Sequence, residues 1–205
     1  MKGVYPVNQP ELSFRHVVDP DAAFFEAYEK VPMLVDVRSK LQPEKIDRGL
    51  GGIRLQEVPV APYVKDLGSY EPPTEFAKKF NISPWGFFAA YDGKTMIAAA
   101  TVACKTNEII MMDNRDDLCL LWDIRVDDAY QRLGVGSHLF AMALDWAKKQ
   151  GLRQMKIECQ NINVPAVRFY HKNGAVLCTL DEYFYYDDPE SRDEVALMWY
   201  IDLRP

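Results

Sequence analysis

Residues 118–149 constrain this chain more than any other stretch. Leu118 to Val126 is a nearly continuous apolar run and reads as a strand buried on both faces at a sheet centre. The turn Gln131-Arg132-Leu133-Gly134-Val135-Gly136 follows. From Ser137 to Lys149, Leu139, Met142, Ala143 and Trp146 then recur at helical spacing. A strand, a glycine turn and a helix in that order aim several backbone N–H groups at one point, where the helix dipole adds partial positive charge. Such a point suits a phosphate or pyrophosphate group. Lacking Cβ atoms, the glycines let that group approach the main chain. A dinucleotide turn needs G-x-G-x-x-G, and Leu139 stands at its third glycine position. A Walker loop needs G-x-x-x-x-G-K-[ST], and no segment fits that spacing. The form Q/R-x-x-G-x-G/A fits through Gln131, Gly134 and Gly136.

Composition narrows the partners. The chain has 205 residues, 48% of them hydrophobic, enough for one domain with a sizeable core. Its net charge is −6 and it has no Lys/Arg block, which argues against nucleic acid. An acidic surface suits a cationic partner such as an amine. Cys104, Cys119, Cys159 and Cys178 are widely spaced with no C-x-x-C pair, so no metal site is expected. Reduced, mostly buried thiols fit a cytoplasmic protein. The first ten residues lack the apolar stretch of a leader, and Met96 to Cys104 is too short to span a membrane.

Along the chain, Asp19-Pro20 opens a helix to about Lys30, and Met33 to Ser39 alternates as a strand. Gln42 to Gly52 reads as a loop, its glycines as a flexible turn. Pro59 to Pro73 reads as irregular. Phe76 to Phe80 reads as a helical turn or two. Phe87 to Tyr91 and Met96 to Ala103 form a hairpin through Asp92-Gly93, with Asn107 to Met112 as a possible further strand. After the helix ending at Lys149, the order is strand (Met155 to Gln160), helix (Asn163 to Gly174) and two strands (Ala175 to Leu180, Val195 to Leu203). Residues 1–30 read as an N-terminal appendage and 31–205 as the main domain. The expected class is α/β (α+β), a mixed central sheet of about seven strands flanked by helices.

The loop does not stand alone. Asn163-x-x-Ala166-x-x-Phe169-Tyr170-x-x-x-Gly174 follows at a fixed distance. Together the two segments resemble the signature motifs of the GNAT N-acetyltransferase family, departing from it at Ala175, where the family usually has phenylalanine. Within that family the carboxyl half resembles the bacterial streptothricin acetyltransferases. The phrases that carry this are Leu144 to Lys148, Asn161 to Asn163, Arg168 to His171, Trp199-Tyr200 and, upstream, Pro62 to Lys65.

The resemblance implies a GNAT fold with two splayed central strands, and acetyl-CoA as co-substrate. Backbone groups of Ile124, Arg125 and Val126 would hold the pantetheine arm. Arg132, Leu133, Gly134, Val135, Gly136 and Ser137 would bind the pyrophosphate, and Gln131 would hold the loop. Asn163 would contact the coenzyme arm or cap its helix, with Ala166 beside it. Tyr170 matches the family's acid for the departing thiolate. The base is left open between Asp123 and Glu158. His138 and His171 read as solvated or capping residues. Asp181, Glu182, Tyr183, Tyr185 and Tyr186 could wall a polyamine acceptor, or form an exposed acidic turn. The implied partner is a small-molecule amine, of the streptothricin type or another amine such as a polyamine, aminoglycoside, peptide or protein. No membrane or nucleic-acid partner is implied, and the protein would be a monomer or homodimer. A catalytically silent acyl-CoA-binding module is the alternative of a different class.

Overall fold

The computed structural model describes residues 11–204. Residues 1–10 lie outside the described residues, and with them the stretch read for a leader. The elements are β1 (Leu12–Val17), α1 (Ala22–Glu29), β2 (Leu34–Lys45), β3 (Ile53–Asp66), α2 (Phe76–Lys79), β4 (Gly86–Asp92), β5 (Thr95–Cys104), β6 (Leu118–Val126), α3 (Val135–Lys149), β7 (Gln154–Gln160), α4 (Val164–Lys172), β8 (Val176–Asp181) and β9 (Ala196–Asp202). Seven strands form a mixed sheet in the order β1-β4-β5-β6-β7-β9-β8, and β2 with β3 forms a separate two-stranded arm.

The sheet is covered on both faces, and the strands divide their residues accordingly. Phe88, Ala98, Ala100 and Leu121 meet Leu139, Phe140 and Ala143 of α3 and Val167 and Tyr170 of α4. Phe87, Ala89, Ala99 and Leu120 meet Phe24, Phe25 and Tyr28 of α1 and Phe76 of α2. Double coverage explains why β4, β5 and β6 read as apolar runs rather than alternating ones. Cys119 and Cys159 are buried core residues, as their apolar surroundings suggested, and Cys104 is buried as well.

Within the segment read as an appendage, residues 12–29 are joined to the main sheet and core. β1 pairs antiparallel with β4 from Leu12↔Asp92 to Val17↔Phe87, and Tyr28 of α1 is fully buried. β1 escaped the reading because it is a short edge strand whose core-facing Leu12 and Phe14 are only partly buried, so its alternation is too brief to mark a strand. The helix starts two residues later than Asp19-Pro20 suggested: Asp21 is the cap, its Oδ1 accepting from Phe24 N–H at 2.9 Å.

The arm also departs from expectation. Residues 42–45, read as loop, continue β2, and residues 59–66, read as irregular, belong to β3. The ribbon is largely solvated, so burial imposes no apolar period on it. Pro62 fits because the register breaks between Val37↔Tyr63 and Ser39↔Pro59 and leaves it outside the ladder, while Pro43 and Pro59 are tolerated because each strand of a two-stranded ribbon has an open edge. Asn161 fastens the arm to the sheet: Leu41 N–H donates to Asn161 O and Asn161 Nδ2 to Leu41 O, both at 2.9 Å, while Asn161 Oδ1 accepts from Val195 N–H at 3.0 Å. Asn107 to Met112 forms a single 3-10 turn, Ile110–Met112, closed by left-handed Asp113, rather than a strand. No helix among the described residues is long and apolar enough to cross a membrane.

Candidate active site

β6 and β7 part company early. Their parallel pairing runs only from Leu118↔Gln154 to Leu120↔Lys156. On the other side β6 stays paired to β5 through Ala98↔Val126, with an extra residue at Trp122 where the register shifts. That bulge turns β6 away from β7. Two cavities fill the resulting gap, one of about 300 Å³ and one of about 730 Å³. Both are walled by Met33, Ile124, Arg125, Asn163 and Tyr170, so they meet at the splay.

The larger cavity ends on the glycine turn. Arg132 (φ 62°) and Gly134 (φ 85°) take left-handed conformations there, and no side chain caps α3. The first N–H groups of a 15-residue helix therefore lack both intrahelical and side-chain partners and face the cleft. Gln131 holds the turn, its Nε2 donating to Asp128 Oδ1 at 2.6 Å and to Val126 O at 3.4 Å. A Cβ at Gly136 would occupy space beside the cleft, in ordinary contact 3.4 Å from Val126 Cγ2 and 3.8 Å from the Phe169 ring. Arg132, Gly134, Gly136 and Ser137 line the cleft, whereas Leu133 is exposed and Val135 buried in the core. Lys172 also lines the cleft and was missed. Its signal was its place in the last turn of α4, beside the second motif.

Asn163 resolves one alternative. It caps α4, its Oδ1 accepting from Ala166 N–H at 3.2 Å, while still lining both cavities. Tyr170 stands at the junction, packed against Phe140 and Phe169. No hydrogen bond among the described residues engages its hydroxyl. Burial, then the neighbouring Cys159, Glu158 and Asp123, push its titration well above the ordinary tyrosine value. His138 stacks on Phe14 at 3.9 Å, a packing role.

The smaller cavity is walled by Tyr70, Trp122, Tyr185, Glu71, Asp188 and Glu158. Burial lifts the Glu158 carboxyl to about 7; the hydrogen bond from Tyr185 opposes the rise, and the charge of Glu194 adds to it. Of the five residues considered for an acceptor wall, only Tyr185 lines this cavity. Asp181 accepts from Tyr183 N–H at 2.8 Å, Glu182 pairs with Lys45 of the arm, and Tyr183 and Tyr186 are exposed.

Asp123 is tied up. Strand alternation puts Asp123 and Arg125 on one face of β6, where Arg125 forms a bidentate pair with it, Nε–Oδ1 at 3.0 Å. Tyr28 O–H donates to Asp123 Oδ1 at 2.9 Å and Arg125 Nη1 to Val31 O at 3.3 Å. Thus Arg125 faces away from the coenzyme side by its side chain, leaving Ile124 and Val126 on that face. Asp123→Asn should strand a buried guanidinium and cost about 3 kcal/mol of stability in urea unfolding. A loss below about 1 kcal/mol would mean that Asp123 is free for other work.

A sheet opened between two parallel strands, with an amide-lined glycine turn at the mouth of the opening, defines the acyl-coenzyme-binding architecture the motifs implied. Residues 54–175 match the acetyltransferase (GNAT) family, and the chain belongs to that family. It is 33% identical over 92 residues to streptothricin acetyltransferase A of Bacillus subtilis, spanning 45% of this chain and 53% of that one. It is 33% identical over 85 residues to an Escherichia coli streptothricin acetyltransferase, spanning 42% and 49%. The chain thus matches about half the length of these curated relatives. Over whole structures it resembles nourseothricin acetyltransferase, with a TM-score of 0.73 and 22% identity over 94% of this chain and 99% of that one. It also resembles a Bacillus anthracis protein assigned as a streptothricin acetyltransferase and solved with acetyl coenzyme A (TM-score 0.72, 25% identity, 94% and 98% covered).

Proposed function

We propose that this protein is an acetyl-CoA-dependent N-acetyltransferase acting on a primary amine of a small cationic molecule of the streptothricin type. The observation that carries the proposal is a passage whose two ends differ in chemistry. One end offers uncapped helix amides with Arg132 and Lys172, and the other offers Glu158 among aromatic residues; Tyr170 and Ile124 stand between them. The cradle fits the coenzyme, since Gly136 leaves room beside Val126 and Phe169 that a side chain would take. Arg132 to Ser137 would hold the pyrophosphate. The main chain of Ile124 to Val126 would hold the pantetheine, on the side of β6 that β7 leaves unpaired. The relatives support the acceptor class, because their names attach streptothricin to this sequence pattern.

When bound, acetyl-CoA supplies an activated acetyl group. The protein's own work is proton transfer and charge stabilisation. Glu158, titrating near 7, takes a proton from the ammonium so that the neutral amine can attack. Main-chain N–H groups of the β6 bulge face the negative charge that develops on the acetyl oxygen. Tyr170, held protonated by burial, gives its proton to the leaving sulfur and is reloaded by the second proton, which the acylated nitrogen sheds as the amide forms. Asp123 has no part in this exchange, since Arg125 and Tyr28 occupy its oxygens.

Mixing protein and acetyl-CoA with streptothricin, polyamines, aminoglycosides and lysine peptides, while following free thiol release, tests this reading. Turnover of streptothricin well above the peptides is the expected outcome. Turnover of peptides alone removes the small-molecule acceptor, and coenzyme binding without any turnover indicates a silent module.

A further inference from the structure

Lys65 of β3 has a buried ammonium in an arm that is otherwise mostly solvated, its side chain only 9% exposed. It pairs with Glu194, equally buried, donates to Ser191 Oγ at 3.0 Å, and lies 5.4 Å from the centre of the Tyr70 ring. Tyr70 Oη and Ser191 Oγ are 3.2 Å apart. The second oxygen of Glu194 is buried without a hydrogen-bond partner among the described residues. Such an arrangement is costly unless the cation stays in place.

Ser191 and Glu194 close the irregular segment between β8 and β9. That segment is a chain of linked turns: Asp188 N–H to Tyr185 O at 2.9 Å, Ser191 N–H to Asp188 O at 3.2 Å, Glu194 N–H to Ser191 O at 2.8 Å. At its near end Tyr185 donates its hydroxyl to Glu158. Fixing Glu194 therefore fixes the turn that presents Tyr185.

We propose that Lys65 is a positioning residue for Glu158: through Glu194 and Ser191 it holds the segment that seats Tyr185 on the Glu158 carboxyl, and it balances the Glu194 charge that Glu158 would otherwise face. This rests on the reading of Glu158 as the base. The other charged groups around Glu158 have partners of their own or share Lys65. Asp123 on β6 is paired with Arg125, and Lys156 on β7 with Asp113. Glu71 meets Lys79 at 3.2 Å, and the Asp188 carboxylate accepts from Glu190 N–H at 3.1 Å and feels the same Lys65 cation as Glu194. Tyr170 on α4 and Cys159 beside Glu158 are kept neutral by burial. Glu194 is the anion whose charge reaches Glu158, and Lys65 is the cation that meets it.

The test reads Glu158 directly. The protein carries 13C-labelled glutamate carboxyls, and the Glu158 resonance is assigned by its loss in Glu158→Gln. Lys65→Met should move the Glu158 titration midpoint up by about one pH unit, Glu194→Gln should move it down by a similar amount, and the double variant should return near the parent. With an amine that is turned over, kcat of Lys65→Met should fall roughly 5- to 10-fold at pH 7 and recover by pH 9. Should Lys65→Met fail to fold, Glu194→Gln alone decides the direction. Midpoints unmoved in the folded variants, with Glu158→Gln inactive, overturn the role of Lys65 and leave the base in place. A Glu158→Gln enzyme with parental kcat ends the base assignment instead.

Discussion

Glu158→Gln is expected to lower kcat about 10³-fold at pH 8 while raising the stability of the fold. The two effects have one cause. Burial holds the Glu158 carboxyl near 7, against an ordinary value of 4.5. An acid raised on folding binds its proton more tightly in the native state. Its contribution is therefore intact below about pH 4.5 and is lost as pH rises through 7. Above that, the native protein carries a carboxylate that burial disfavours. Glutamine cannot ionise, yet its carbonyl still accepts from Tyr185. Stability should rise by about 2 kcal/mol at pH 8.5 and hardly change at pH 5, read from urea unfolding at each pH.

The rate loss has a pH signature of its own. In the parent, the acid limb of kcat should fall away below about 7, where Glu158 takes its proton. In the variant nothing removes the ammonium proton, so the rate should track free amine and climb with pH toward the amine's own titration near 10. An acceptor of low basicity, already neutral at pH 8, should lose far less. If kcat stays within about 5-fold of the parent across these acceptors, Glu158 is not the base.

What the sequence disclosed follows from how local each feature is. The glycine turn was legible because Gly134 encodes a left-handed backbone directly and Gly136 leaves open space beside Val126 and Phe169. β6 was legible because double coverage leaves an unbroken apolar run. Asp123 and Glu158 were not separable by type or position along a strand. One clue was present: residues two apart on a strand share a face, so Arg125 could have been matched to Asp123. Nothing local could pair Tyr185 with Glu158, 27 residues away, or Lys65 with Glu194, 129 residues away. The arm stayed hidden because solvent-exposed strands need no apolar period, and β1 because its alternation is too short to stand out. The cap formed by Asn163 sat within the motif, but a capping asparagine and a ligand-binding one look alike in sequence.

Tyr170→Phe should cut kcat by about 10²- to 10⁴-fold and leave coenzyme affinity and stability nearly unchanged. The ring is held by Phe140 and Phe169, at 6.2 and 5.5 Å between centres, and phenylalanine keeps both contacts. Only the hydroxyl is lost, and no hydrogen bond among the described residues depends on it. Burial raises the hydroxyl's titration, which keeps it loaded with a proton at any working pH but makes it a reluctant donor. The leaving thiolate would form in the same enclosed passage, where burial would make it more basic too and keep donor and acceptor matched. A direct consequence is selectivity for the leaving group. A thioester of a much more acidic thiol departs without needing a proton. On such a donor the Tyr170→Phe penalty should shrink toward unity, whereas Glu158→Gln should lose as much as before. Equal penalties on both donors would place Tyr170 in packing rather than proton transfer. The opposite pattern, a Glu158→Gln penalty that vanishes with the acidic thiol, would exchange the two roles.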